Sequence, residues 1–129
     1  MIYTSYFANM RYLSETDIKK CISIALAPPP GYTGAQYKKL APLRYILKDY
    51  QIDKNEEKYK RNYIRQVLNN LDPYEIAKEL DGKILLCFET PEKFCHRHLV
   101  AEWFNSAGID CGEIVPHNKE IIVQQPSLF

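Results

Sequence analysis

The spacing of apolar positions changes repeatedly along the chain, and each change marks an element. "MIYTSYF" and "CISIALA" are short runs rich in β-branched and aromatic residues, the pattern of strands, and Pro28 to Pro30 end the second because proline cannot donate to a sheet ladder. From Pro42 onward Leu43, Ile46, Leu47 and Tyr50 recur at helical spacing. A second helix is predicted at about 55–70, with Tyr63, Ile64, Val67, Leu68 and Leu71 on one face and a basic stripe of Lys58, Arg61 and Arg65 on another. That stripe is read as a solvated face ahead of a phosphate contact. "DPYEIAKELDG" carries agreeing start and stop signals: Asp72 as cap, Pro73 in the first turn, Glu75 completing a capping box and Gly82 past the end.

"KILLCFE" follows as a near-continuous apolar run, typical of a strand covered on both faces. "TPEKFCHRHLVAEWFNSAG" then predicts a helix over 91–107, capped by Thr90, opened by Pro91 and closed at Gly108. The last segment holds one or two short strands around Val115 and Ile122. Strands alternating with helices predict a three-layer α/β sandwich, a mostly parallel short sheet flanked by helices in a Rossmann-like manner. The expected organisation is one domain over 1–123 and a tail over 124–129. If the strands are parallel, the loops 8–13, 28–41 and 89–95 gather beyond their carboxyl ends, where such sheets bind ligands.

Composition narrows the class. At 129 residues, 46% hydrophobic and 12% aromatic, the chain can bury a real core. A net charge of +1, from 17 basic and 16 acidic residues, demands neither nucleic acid nor an anionic membrane, so such binding must come from a local patch. No apolar run reaches the ~18 residues of a membrane span, and "MIYTSYFANMR" lacks the basic start and apolar stretch of a signal peptide. A cytoplasmic protein without a membrane partner is expected. Cys21, Cys87, Cys95 and Cys111 show no CxxC spacing and are read as free thiols.

Chemistry concentrates in "CFETPEKFCHRHLVAEWF". On a helix whose buried face holds Leu99, Val100, Trp103, Phe104 and Ala107, His96 points inward near the end of the preceding strand, Cys95 and Arg97 flank it, and His98 faces solvent. Three chemistries fit. Cys95 could be a nucleophile activated by the helix terminus, His96 and Arg97. Arg97 and the helix terminus could receive a phosphate or other anion. Cys87, Cys95 and His96 could bind zinc with Glu89 or Cys111, but the seven-residue gap between the first two cysteines matches no usual zinc spacing. Anion binding and thiol chemistry therefore stand ahead of metal, no metal ligands are assigned, and the sequence names no cofactor.

The order "YTSYFANMRYL", "ISIAL", "YKKLAPLRYIL" and "LLCFETPEKFCHRHLVAEWF" resembles the family called domain of unknown function 488, small bacterial and phage proteins with a Cys-His-Arg hallmark. By that resemblance Cys87 and Glu89 match the strand end, Cys95, His96 and Arg97 the hallmark, Asn9 the first loop, and Tyr37 the segment before the first helix. The resemblance implies fold and site but transfers no reaction. The expected site has Cys95, His96 and Glu89 as catalytic residues, with Arg97, Asn9, Tyr37 and Cys87 binding substrate or anion. The expected function is an enzyme acting on a nucleotide or nucleic-acid-related substrate. The alternative is a non-catalytic module that binds a nucleotide, nucleic acid or protein and associates with the replication clamp. The terminal "QPSLF" supplies that link, since Gln125, Leu128 and Phe129 resemble the short peptide that docks on bacterial sliding clamps.

Overall fold

The structure, a computed structural model, describes residues 1–89, 93–114 and 121–123. Its strands are β1 (Ile2–Tyr6), β2 (Cys21–Ser23), β3 (Ala35–Gln36), β4 (Ile84–Cys87), β5 (Cys111–Ile114) and β6 (Ile121–Val123), and they form one sheet ordered β3-β2-β4-β1-β5-β6. The first five strands are parallel and β6 is antiparallel to β5. The α-helices are α1 (Glu15–Ile18), α2 (Arg44–Asp53), α3 (Glu56–Gln66), α4 (Pro73–Leu80) and α5 (His96–Ser106). Helices and turns cover both faces of the mostly parallel sheet, which is the three-layer α/β arrangement.

Strand alternation assigns the layers. On β4, Leu85 enters the larger core with Ile2, Ile22, Tyr59, Tyr63, Leu99, Val100 and Phe104, whereas Ile84 and Leu86 join Cys21 and Ile114 on the opposite face. Helices α2, α3, α4 and α5 supply the first layer; Phe7, Met10, Leu13 and Tyr32, from the turn after β1 and the loop after β2, pack against the second. Cys87, two residues beyond Leu85, points to the α5 side. Tyr63 is fully buried, and its hydroxyl donates 2.6 Å to the Leu40 carbonyl, which ties α3 to the segment before α2.

Local signals act as their chemistry requires at several ends. Asp72 accepts a bond from the Tyr74 amide at 2.9 Å, with Pro73 in the first turn of α4. Asn55 caps α3 by accepting from the Lys58 amide at 3.0 Å. Ile64 is exposed, because the buried stripe of α3 runs through Tyr59 and Tyr63. Lys58 pairs with Asp53 at 2.7 Å and Asp49 at 3.8 Å, so part of the basic stripe is neutralised within the protein. Among the described residues no helix is long and apolar enough to cross a membrane.

Gly108 follows α5 at φ 80°, in the left-handed region, and a Cβ added there would meet nothing within 4 Å. The cost of a side chain is therefore one of backbone conformation alone. Gly108→Ala should lower unfolding stability by about 1–2 kcal/mol in urea titration without changing the far-ultraviolet spectrum; an unchanged midpoint would contradict that backbone geometry.

Candidate functional site

The carboxyl ends of β1, β2, β4 and β5 share one edge because the strands are parallel. At that edge, on the α5 side, lies a cavity of about 130 Å³ lined by Leu26, Pro42, Leu47, Tyr50, Tyr59, Cys87, Phe88, Glu89, Phe94, Cys95 and His96. Four of the expected site residues, Cys87, Glu89, Cys95 and His96, thus face one space. Its aromatic walls interlock: Phe94 packs edge-on against Tyr59 at 5.0 Å, Tyr50 lies 5.5 Å from Tyr59, and Tyr63 stands 5.4 Å from the His96 ring.

Helix α5 starts at His96, not near Pro91, because Cys95 is extended (φ −155°, ψ 147°) and serves as its cap; Thr90 and Pro91 lie outside the described residues. The shorter helix puts His96 in the first turn, beside the end of β4. Its Nε2 lies 2.8 Å from the Ile24 carbonyl, which can only accept, so Nε2 carries the ring proton. Nδ1 then presents a lone pair to the Cys87 sulfur at 3.4 Å and the Cys95 sulfur at 3.9 Å. Burial pulls the His96 pKa down to about 4, opposed by the Ile24 bond and reinforced by the Arg97 charge, so the ring is neutral at pH 7.

Cys87 and Cys95 were expected to be separate thiols, yet their sulfurs stand within bonding distance as a disulfide, with Cα atoms 7.2 Å apart. Sequence spacing could not show this, because seven intervening residues leave the distance between two side chains open. Cys21 and Cys111 are free and buried at the amino edge, where burial first, then Asp17 or Glu113 respectively, raises their pKa values to about 11 and about 12. Cys111 is therefore no neighbour of the cluster. Cys87, Cys95 and His96 form a buried group whose ligand atoms lie within 4.8 Å of one another, the closeness that spacing alone had argued against.

Arg97 is fully buried and turned away from the cavity. Its Nε and Nη2 donate to the two Glu113 carboxylate oxygens at 3.0 and 2.8 Å, Nη1 donates to the Glu89 carbonyl, and Thr4 donates to Glu113 at 2.6 Å. The guanidinium also lies 5.7 Å from the Tyr6 ring centroid. Its Nε, Nη1 and Nη2 each make a hydrogen bond inside the protein, and Arg97 does not line the cavity, so this geometry lends no support to the anion contact expected of it. Burial would raise the Glu113 pKa, but the bonds and charge of Arg97 outweigh it and hold the carboxyl below its usual value. Sequence reasoning missed Glu113; its signal was an acid inside the otherwise apolar strand "CGEI".

His98 is buried, against the solvent exposure that helical phase predicted. Phase describes the helix's own packing face, whereas the first turn of α5 is also covered by the segment around Lys93, whose backbone bonds the ring. Burial, then Arg97, lowers the His98 pKa, and its Nε2 has no partner among the described residues. Asn9 and Tyr37 emerge from the same sheet edge but do not line the cavity. Asn9 is buried on the opposite face, donating to Ser5 at 3.0 Å, and the Tyr37 hydroxyl donates to Glu79 on α4. Gln125, Leu128 and Phe129 lie outside the described residues.

Removing one member of the Arg97–Glu113 pair leaves a buried charge uncompensated. Arg97→Met or Glu113→Leu alone should cost about 3–5 kcal/mol in urea unfolding at pH 7, and the double replacement should recover most of that loss. Additive losses would show that the two side chains do not meet in solution.

Residues 12–108 match a protein-family model, DUF488-N3a, described as the active DUF488-N3 subclade. The matched stretch includes Cys87, Glu89, Cys95, His96 and Arg97 and stops short of Glu113. Neither a curated protein nor a solved structure gives a significant match.

Proposed function

The chain belongs to the DUF488 family, and from that premise we propose that it is an enzyme acting on a nucleotide or nucleic-acid-related substrate in the cavity bounded by Cys87, Glu89, Cys95 and His96. The observation that carries the substrate class is the surface beyond the cavity mouth. The cavity shares Leu26, Leu47, Tyr50, Phe88 and Glu89 with a groove of about 510 Å³ that also carries Arg44, Lys48 and Lys54. None of those three cations has a carboxylate partner among the described residues. Lys54 Nζ stands 5.3 Å from the Tyr50 ring centroid, which joins the basic groove to the aromatic wall.

Aromatic faces and unpaired cations side by side suit a base and its phosphate: the ring stacks on Tyr50 or Phe88 while the phosphate meets Arg44 and Lys48. Glu89 is exposed at the shared mouth, where its carboxylate can take or give a proton. His96, neutral with a fixed tautomer, can accept one at Nδ1 from a reduced thiol. Arg97 holds Glu89 in place through its carbonyl, and Asn9 and Tyr37 support neighbouring segments without entering the site. The word active in the matched family's description favours an enzyme over a passive binding module. The proposal includes a cytoplasmic setting, whose thiol pool keeps such a cysteine pair reduced.

Nucleoside phosphates and short labelled single-stranded DNA and RNA should bind the reduced protein at about 50 mM salt, with affinity falling as salt rises. Lys48→Glu with Arg44→Glu should weaken binding at least ~10-fold, since both cations that meet phosphate become repulsive. Glu89→Gln should leave binding near the wild-type level and abolish whatever turnover a product screen detects. Absence of binding across the panel, or binding indifferent to the charge reversals, would remove the nucleotide reading.

A further inference from the structure

We infer that the reduced Cys87–Cys95 pair and His96 form a zinc site whose fourth coordination position opens into the cavity. The inference concerns the centre of the site proposed above but stands on geometry independent of the substrate. The first support is the imidazole. Its Nε2–H is fixed at 2.8 Å on the Ile24 carbonyl, the outer bond that metal-binding histidines make, and it leaves Nδ1 aimed at both sulfurs.

The second support is distance. Around a tetrahedral zinc ion with Zn–S near 2.3 Å and Zn–N near 2.1 Å, sulfur and nitrogen ligands stand about 3.5 Å apart. The Nδ1–Sγ separations of 3.4 and 3.9 Å bracket that value, and the two sulfurs, bonded to each other here, part on reduction to make room for the ion. The third support is the backbone. The Cα atoms of Cys87 and Cys95 are 7.2 Å apart, wider than the about 4.4–6.8 Å that disulfides usually span, so the chain suits two sulfurs sharing an ion.

Charge agrees. Two thiolates, one neutral imidazole and a dipositive ion sum to zero, which suits a buried site beside an already neutral Arg97–Glu113 pair. The chemistry balances in two steps. A low-molecular-weight dithiol or two monothiols reduce the Cys87–Cys95 bond, supplying two electrons and two protons and leaving as their own disulfide. Zinc then displaces the two thiol protons to solvent as two Zn–S bonds form. The protein ligands occupy three positions; the fourth faces the cavity side, where Glu89 and Phe88 stand and water or substrate can bind.

The test uses the full chain, reduced, stripped with a chelator and titrated with zinc or cobalt(II). One zinc per chain should be retained through desalting. Cobalt should give the visible bands of tetrahedral coordination together with thiolate charge-transfer absorption. His96→Ala and Cys95→Ser should weaken zinc by more than about 100-fold, beyond what losing an outer-shell partner costs, while Cys21→Ala and Cys111→Ala keep full stoichiometry. Should Cys95→Ser fail to fold, wild-type cobalt absorption decides alone. Four titratable thiols in denatured, reduced protein with no cobalt spectrum would overturn the site. So would a Cys87–Cys95 bond that survives reductant. Metal binding without nucleotide binding would sink only the substrate reading, and nucleotide binding without metal would sink only this one.

Discussion

The buried Arg97–Glu113 pair is the constraint on which the arrangement at the sheet edge depends. Arg97 belongs to the first turn of α5, Glu113 to β5 and Thr4 to β1, and the same guanidinium holds the Glu89 carbonyl beyond β4. Four separate segments therefore meet at one ion pair. Two buried ions in a low-dielectric interior tolerate little misalignment, because the desolvation each suffers is offset only when the hydrogen bonds are all made. The pair costs energy to bury and returns geometry, fixing where α5 begins and hence where His96 stands relative to the end of β4.

That fixed start gives the cysteine–histidine cluster its chemical character. A histidine at an exposed helix end would exchange tautomers and rotate; here the Ile24 carbonyl holds one nitrogen and Tyr63 stands edge-on against the ring. Burial keeps the imidazole uncharged, so Nδ1 keeps a lone pair that can accept a hydrogen bond or be donated to an ion. The aromatic side chains of Tyr50, Tyr59 and Phe94 line the same cavity as the sulfurs and leave its interior open.

Elements with strong local signals were legible in the sequence. The apolar run "KILLCFE" became β4, Asp72 and Pro73 act at the start of α4, and Gly82 and Gly108 both take positive φ. The gathering of loops at the carboxyl edge followed from strand–helix alternation. What sequence could not supply was pairing at a distance. Glu113 lies 16 residues from Arg97 and meets it only because β5 crosses to the far side of β1. Asn9 leaves the expected edge, but its contacts with Ser5 and Ile114 carry it to the opposite layer. His98 was misjudged because helical phase knows nothing of a covering loop, and the cysteine pair because contour length says little about where a folded loop returns.

Strand β4 also sets how this chain can change in length. Successive residues on a strand face opposite layers, so Leu85 and Cys87 look toward α5 while Ile84 and Leu86 look away. Inserting or deleting one residue within Ile84–Cys87 would transfer the sulfur to the wrong layer and send a bulky leucine in its place. Relatives that keep this chemistry should therefore hold the length of β4 constant, and an alignment gap inside the strand would mark a descendant that has lost the site.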